Sequence, residues 1–134
     1  MSEPAINSTA SASLTVASSD LASALSPEDA FPPVFATSRM VALMELAAGR
    51  ILRSHLRAGE LSVGVSLDIM HTAATPLGAT ATATAKFVGR EGKLFLFEVS
   101  AADNAGEIGR GTHKRAIVTT ERLVAGAAQR GAKA

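Results

Sequence analysis

Apolar and polar residues recur with two different periods along this chain, and the change falls at Gly59. Between residues 37 and 56 the apolar residues recur at the helical spacing, so they share one face of a single long helix. Thr37 or Ser38 is expected to cap the first turn with its hydroxyl group, and Gly59 suits the backbone just beyond the end. We therefore predict a helix over about residues 38–57, with this apolar face: Met40, Val41, Met44, Ala47, Ala48, Ile51, Leu52 and His55.

Glu45 departs from the pattern of this helix. Its side chain projects at the border of the apolar face, where an ionised carboxylate costs free energy unless a partner compensates it. Arg50 and Arg53 lie too far round the helix to be that partner. Most glutamates in such a position are solvated or paired with an arginine, so Glu45 becomes a candidate for chemistry only if other residues support it.

After Gly59 the period changes to two, which is typical of strands with one apolar face. In the first of these strands, which runs into His71, the apolar face is formed by Leu61, Val63, Val65, Leu67 and Ile69. The next three strands are joined by short glycine-containing turns, so we predict an antiparallel meander. The four strands cover residues 61–70, 79–88, 93–103 and 107–120.

A weaker alternation at residues 11–16 predicts one more strand before the helix, followed by a loop with a helical turn near residues 21–25. One helix and an antiparallel sheet wrapped around it make an α+β fold. A single helix leaves sheet edges uncovered, which favours a dimer that continues the sheet. We expect one domain over residues 11–123, a disordered start at residues 1–10, and a flexible Ala- and Gly-rich tail at residues 124–134.

Composition excludes several classes of function. The net charge of +1, the absence of Trp and Tyr, and only five Phe leave little to bind nucleic acid. No apolar run approaches the roughly 20 residues that cross a bilayer, so no membrane partner is expected. The chain has no Cys, which rules out thiolate chemistry and agrees with a cytoplasmic location. Three scattered His residues do not form a ligand set, so we expect no metal.

Four motifs occur in order along the chain. They are Phe31-Pro32-Pro33-Val34-Phe35-Ala36-Thr37, Met40-Val41-Ala42-Leu43-Met44-Glu45, His71-Thr72-Ala73-Ala74-Thr75-Pro76 and Gly109-Arg110-Gly111-Thr112-His113-Lys114-Arg115. Together they resemble the fluoroacetyl-coenzyme A thioesterase family of hot-dog proteins, over about residues 31–123. The resemblance implies a hot-dog fold, at least a homodimer, and hydrolysis of a small acyl-coenzyme A thioester. Coenzyme A is then part of the substrate, and no cofactor is implied.

The resemblance also implies site residues. The catalytic threonine, glutamate and histidine of the family fall on Thr37, Glu45 and His71. Gly64 matches the glycine whose backbone lies beside the thioester carbonyl, and Arg115 matches an arginine near the active site. Phe31, which opens the first motif, is assigned with Gly64 and Arg115 to substrate binding.

These residue types suit thioester hydrolysis, which needs an attacking group, a proton donor and stabilisation of an oxyanion. Glu45 can attack the carbonyl or activate water, His71 can move the proton, and Thr37 lies at a helix N-terminus that favours negative charge. The sequence does not separate an acyl-enzyme route from direct attack by water. Each residue also has a structural interpretation, since Thr37 suits a helix cap and Gly64 a bulge.

Two other functions compete with hydrolysis. A hydratase of the same fold would carry a histidine and aspartate signature, which is not apparent in this chain. A non-catalytic module that binds or senses acyl-coenzyme A would use Glu45 and His71 to orient the ligand without turnover.

Overall fold

A computed structural model describes residues 3–133 of the chain. Met1, Ser2 and Ala134, which belong to the two predicted flexible ends, lie outside the described residues. The elements in chain order are β1 (Thr9–Thr15), short 3-10 turns at Ser18–Asp20, Ala22–Ala24 and Pro27–Asp29, α1 (Thr37–Arg53), β2 (Glu60–His71), β3 (Thr80–Glu91), β4 (Leu94–Asp103), β5 (Gly106–Thr119) and α2 (Thr120–Ala132).

The described residues form one antiparallel sheet in the order β1-β3-β4-β5-β2. The predicted meander is therefore present as β3, β4 and β5, and the edges are β1 and β2. The sheet curls around α1, and the alternation of Ala and Thr along β3 sends the small alanines inward and the threonines outward. Small residues let the strand approach the helix closely, and strands β3 and β4 add three phenylalanines to the core: Phe87, Phe95 and Phe97.

Helix α1 differs from its prediction at both ends. Its cap is Ala36 and Thr37 is its first residue, so the prediction that a hydroxyl of Thr37 or Ser38 caps the helix is wrong. The Thr37 hydroxyl is bound elsewhere, to His71. The helix ends at Arg53, and Gly59 takes its positive φ of 83° in the turn that enters β2. The buried face agrees with the sequence pattern except that it includes Leu43 and leaves Val41 and His55 half-buried.

Strand β2 contains a bulge next to Gly64, which agrees with the structural interpretation of that glycine, although the alternating pattern did not predict the change of face. The pairing with β5 shifts between Gly64 and Ser66, so Val65 is an extra residue. One extra residue exchanges the faces of a strand, because the side-chain period is two. Gly64 therefore lies opposite Arg115 and faces α1 together with Leu67, Ile69 and His71, whereas unbroken alternation would place it on the outer side.

The two ends of the chain are more regular than predicted. The N-terminal segment is tied to the sheet by the backbone N–H of Asn7, which donates to Phe87 at 2.8 Å, and Pro4 is buried. Where a flexible tail was expected, Thr120–Ala132 forms α2, and none of its described side chains is buried. Alanine is the strongest helix former, and it accounts for a helix that packing hardly supports. None of the helices within residues 3–133 is long and apolar enough to cross a membrane.

Candidate active site

The N-terminus of α1 meets the end of β2, and this junction holds two of the predicted catalytic residues. Thr37 Oγ1 lies 2.8 Å from His71 Nδ1. His71 is opposite Gly109, where an added Cβ would lie 2.7 Å from the sulfur of Met40. The glycine therefore lets β5 pass beneath α1, and this brings His71 within reach of Thr37.

The second ring nitrogen of His71, Nε2, is buried. Among the described residues, no hydrogen-bond partner reaches it. A buried polar atom without a partner costs about 1–3 kcal/mol, so such atoms are rare outside functional sites. Thr37 and His71 also line an open cleft of about 380 Å³, with walls formed by Ala22, Pro32, Val34, Phe35, Thr72, Ala73 and Ala74.

A second group of predicted residues gathers around Glu45, further along α1. Arg115 Nη1 lies 3.3 Å from Glu45 Oε2, and the two side chains are 9% and 38% exposed. A Cβ on Gly64 would lie 2.5 Å from the same Glu45 oxygen, so only glycine leaves room for the carboxylate. Arg115 is thus the partner that Glu45 required, and it comes from β5 rather than from α1.

Arg115 also makes hydrogen bonds with residues of β2 and β5. Its Nε and Nη2 donate to the hydroxyl and the carbonyl of Ser62, both at 3.0 Å, and Nη1 lies 3.1 Å from His113 Nε2. Burial lowers the pKa of Arg115 and Glu45 opposes this shift, but a guanidinium stays charged throughout the useful pH range. Sequence reasoning gave no role to Ser62 or His113. For His113 the sequence did contain a signal. His113 precedes Arg115 by two residues, so the two side chains share one face of the strand.

Within this chain the predicted residues form two separate groups. Thr37 and Glu45 are eight residues apart on α1, which separates them by about 12 Å along the helix axis. Gly64 and His71 are separated by about 20 Å along β2. Phe31 joins neither group, since its side chain is 45% exposed and does not line the cleft at Thr37. In the described part of the chain, no three His, Asp or Glu side chains converge as a metal site would require.

Comparison with known proteins agrees with the motifs. The family model of FlK, the fluoroacetyl-CoA-specific thioesterase, matches residues 16–121. The fluoroacetyl-CoA thioesterase of Streptantibioticus cattleyicolor is 48% identical over 99 residues, which are 73% of this chain and 71% of that protein. A solved structure of the fluoroacetyl-CoA thioesterase FlK is 38% identical, covers 96% of this chain and 98% of its own, and has a TM-score of 0.90.

The fold is found beyond these thioesterases. A hot-dog-like protein from Thermanaerovibrio acidaminovorans is 26% identical, with a TM-score of 0.82 over 93% of this chain and 91% of its own. The predicted hot-dog fold is therefore confirmed. With the family model matching most of its length and a relative 48% identical, this chain belongs to the family of fluoroacetyl-CoA-specific thioesterases.

Proposed function

We propose that the protein hydrolyses a small acyl-coenzyme A thioester to the carboxylic acid and free coenzyme A. Family membership supports this reaction, and the observation that carries it is the 2.8 Å contact between Thr37 and His71 at the start of α1. A hydroxyl bound to an imidazole is the arrangement that lets a base remove or relay its proton. The acyl group of the relative from S. cattleyicolor, fluoroacetyl, is one member of the substrate class to test.

In hydrolysis an oxygen–carbon bond forms at the thioester carbonyl and the carbon–sulfur bond breaks. The proton released by water passes to the leaving thiolate, and in this proposal His71 moves it. The first N–H groups of α1 have no helical carbonyl to bind, so they favour negative charge near Thr37. Glu45 supplies the remaining requirement, a carboxylate that activates water or attacks the carbonyl itself.

Glu45 of the same protomer is too far along α1 to serve Thr37 and His71, so we propose that a homodimer completes the site. Strand β2 is a sheet edge, and it exposes the apolar side chains of Val65, Leu67 and Met70. An exposed apolar edge is a template for pairing with another strand.

Two copies of β2 would pair antiparallel around a two-fold axis. If the axis passes at Asp68, the two copies of Asp68 lie opposite each other. With Val65 still the extra residue, Gly64 of one subunit then lies opposite His71 of the other. Residues opposite one another share a face of the sheet, and the bulge at Val65 has turned Gly64 towards the helix. Glu45 of the partner subunit, which covers the partner's Gly64, then stands beside His71 and Thr37.

Release of free thiol from a panel of acyl-coenzyme A substrates tests the reaction. The panel should include acetyl, fluoroacetyl and longer acyl groups. Each substrate is assayed with the wild type and with the variants Thr37→Ala, Glu45→Gln and His71→Ala. We expect turnover by the wild type and a loss of at least about 100-fold in kcat for Glu45→Gln and for His71→Ala. Binding of acyl-coenzyme A without thiol release on any substrate would favour the non-catalytic module.

Mixed dimers test where the site lies. Thr37→Ala and Glu45→Gln homodimers are each expected to be inactive. A dimer with one subunit of each kind keeps one intact site if Thr37 and Glu45 act across the interface, and none if they act within a subunit. When equal amounts of the two variants mix at random, half of the dimers are mixed and each of these has one of its two sites intact. Mixing should therefore restore about a quarter of the wild-type activity. Mixed dimers that form, as judged by two affinity tags, and remain inactive would reject the shared site.

A further inference from the structure

His113 lies in the interior beside the Glu45 and Arg115 pair, and neither the sequence nor the proposed reaction has given it a role. It is 1% exposed, and its ring packs against Phe97 with the ring centres 6.2 Å apart. Its Nδ1 lies 2.9 Å from the Ser66 carbonyl oxygen, and its Nε2 lies 3.1 Å from Arg115 Nη1.

These two partners fix the tautomer of the ring. A carbonyl oxygen only accepts hydrogen bonds, so Nδ1 carries the proton and donates it to Ser66. The other nitrogen of a neutral imidazole is an acceptor, and it accepts from Arg115. Burial lowers the pKa of His113, and the nearby guanidinium adds to this, while the Ser66 carbonyl and the Glu45 carboxylate oppose it. The ring is therefore neutral near pH 7.

His113 and Glu45 share the hydrogen-bond donors of Arg115 Nη1. Nη1 has two hydrogens, and one is taken by His113, so one remains for Glu45 Oε2. Nε donates to the Ser62 hydroxyl, and Nη2 gives one of its two hydrogens to the Ser62 carbonyl. A guanidinium frequently binds a carboxylate through two parallel hydrogen bonds, which would occupy both oxygens. Here the described contacts hold Glu45 through Oε2, and its side chain keeps 38% of its surface exposed.

We propose that His113 is a positioning residue for the reaction: by accepting from Arg115 it fixes the guanidinium, so that Glu45 is held through one oxygen and keeps the other for the water or the thioester. This inference rests on the function proposed above, in which Glu45 is the reacting carboxylate. His113 does not touch the substrate in this arrangement and acts through Arg115.

Two conservative variants separate this role from a purely structural one. In His113→Gln the terminal amide oxygen lies about as far from Cα as Nε2, so it can still accept from Arg115. In His113→Asn the amide keeps a donor for Ser66 but leaves Arg115 without its acceptor. We expect His113→Asn to lower kcat at least about tenfold with KM changed less than about twofold, and His113→Gln to recover most of the loss. Equal losses in both variants, or a change confined to KM, would overturn the proposal.

A double substitution tests whether the effect passes through Glu45. In the Glu45→Gln background, His113→Asn should change the residual kcat less than about twofold, because the carboxylate to be positioned is gone. An equal loss in both backgrounds would contradict the proposed route. A wild type without thiol release would reject the proposed function, whereas an active enzyme sensitive to Glu45→Gln but insensitive to His113→Asn would reject only the role of His113.

A spectroscopic measurement needs no variant. The imidazole nitrogens of uniformly ¹⁵N-labelled protein report the tautomer and the protonation of each histidine. We expect His113 to remain the neutral Nδ1–H tautomer throughout the pH range in which kcat is at its maximum. Protonation of both nitrogens within that range, without loss of activity, would overturn the proposal even if the His113→Asn variant failed to fold.

Discussion

Replacing Gly64 by alanine tests how closely the Glu45 carboxylate must be held. The φ of Gly64 is not positive, so alanine can adopt its backbone conformation. The added Cβ would lie 2.5 Å from Glu45 Oε2 and 3.4 Å from His113 Cε1. A normal contact of a carbon atom is about 3.5 Å, so the carboxylate must move by about 1 Å. A shift of this size away from Arg115 lengthens the 3.3 Å contact between Arg115 Nη1 and Glu45 Oε2 beyond the range of an ion pair.

The effect on catalysis should exceed the effect on stability. A misplacement of about 1 Å in a reacting group costs roughly 100-fold in kcat. An ion pair with one partly exposed partner contributes about 1 kcal/mol, and replacing glycine by alanine recovers about 0.4–1 kcal/mol through the unfolded chain. We therefore expect Gly64→Ala to lower kcat about 100-fold while its free energy of unfolding stays within about 1 kcal/mol of the wild type.

The measurements are thiol release under saturating acyl-coenzyme A and urea unfolding followed by circular dichroism. Gly126→Ala is the matched control, because a Cβ at Gly126 in α2 meets nothing within 4 Å. This control should keep the wild-type kcat. A folded Gly64→Ala variant with wild-type kcat would refute the reasoning, since Glu45 would then tolerate displacement. A loss of more than about 3 kcal/mol in unfolding free energy would mean that Gly64 acts through stability instead.

Three further predictions concern stability. Burial lowers the pKa of His113 from its ordinary value of 6.5, so the unfolded chain binds a proton first as the pH falls. The free energy of unfolding should therefore drop between pH 7 and pH 5, with a smaller drop in His113→Asn, in urea titrations at each pH. The buried hydroxyl of Thr75 donates to Asp103 at 2.7 Å and is the largest cause of the lowered pKa of Asp103, so Thr75→Val should cost about 1–2 kcal/mol at pH 7 and less at pH 3. Deleting residues 121–134 should move Tm by less than about 2 °C in a calorimetric scan, because the described side chains of α2 are exposed.

Helix α1 and strands β2 to β5 were readable from the sequence because each has a clear period, whereas α2 was not. The helical spacing located α1, and the alternation located β2 to β5 with errors of a few residues at their ends. Periodicity reports only which side chains share a face, however, and a bulge changes that without changing composition. The reversal at Val65 could not be read from a strand whose residues on both sides of the bulge are apolar or small.

The site was predicted as a set of residues but not as an arrangement. The motifs pointed to Thr37 and His71, and the structure brings them into contact. The motifs also pointed to Glu45. The expectation that a carboxylate at the border of the apolar helix face needs a partner was correct. That partner is Arg115, which lies 70 residues along the chain, so no local spacing could identify it.

The separation of the two groups within a protomer gives a physical reason for the proposed dimer. A rigid helix keeps Thr37 and Glu45 about 12 Å apart along its axis, so no side-chain rotation can bring them to one thioester. Two antiparallel copies of β2 solve this, because the end of one strand then faces the middle of the other. Each α1 would supply its first residue to one site and its third turn to the other. In such an arrangement loss of the dimer abolishes activity even when both protomers remain folded, since neither site is then complete.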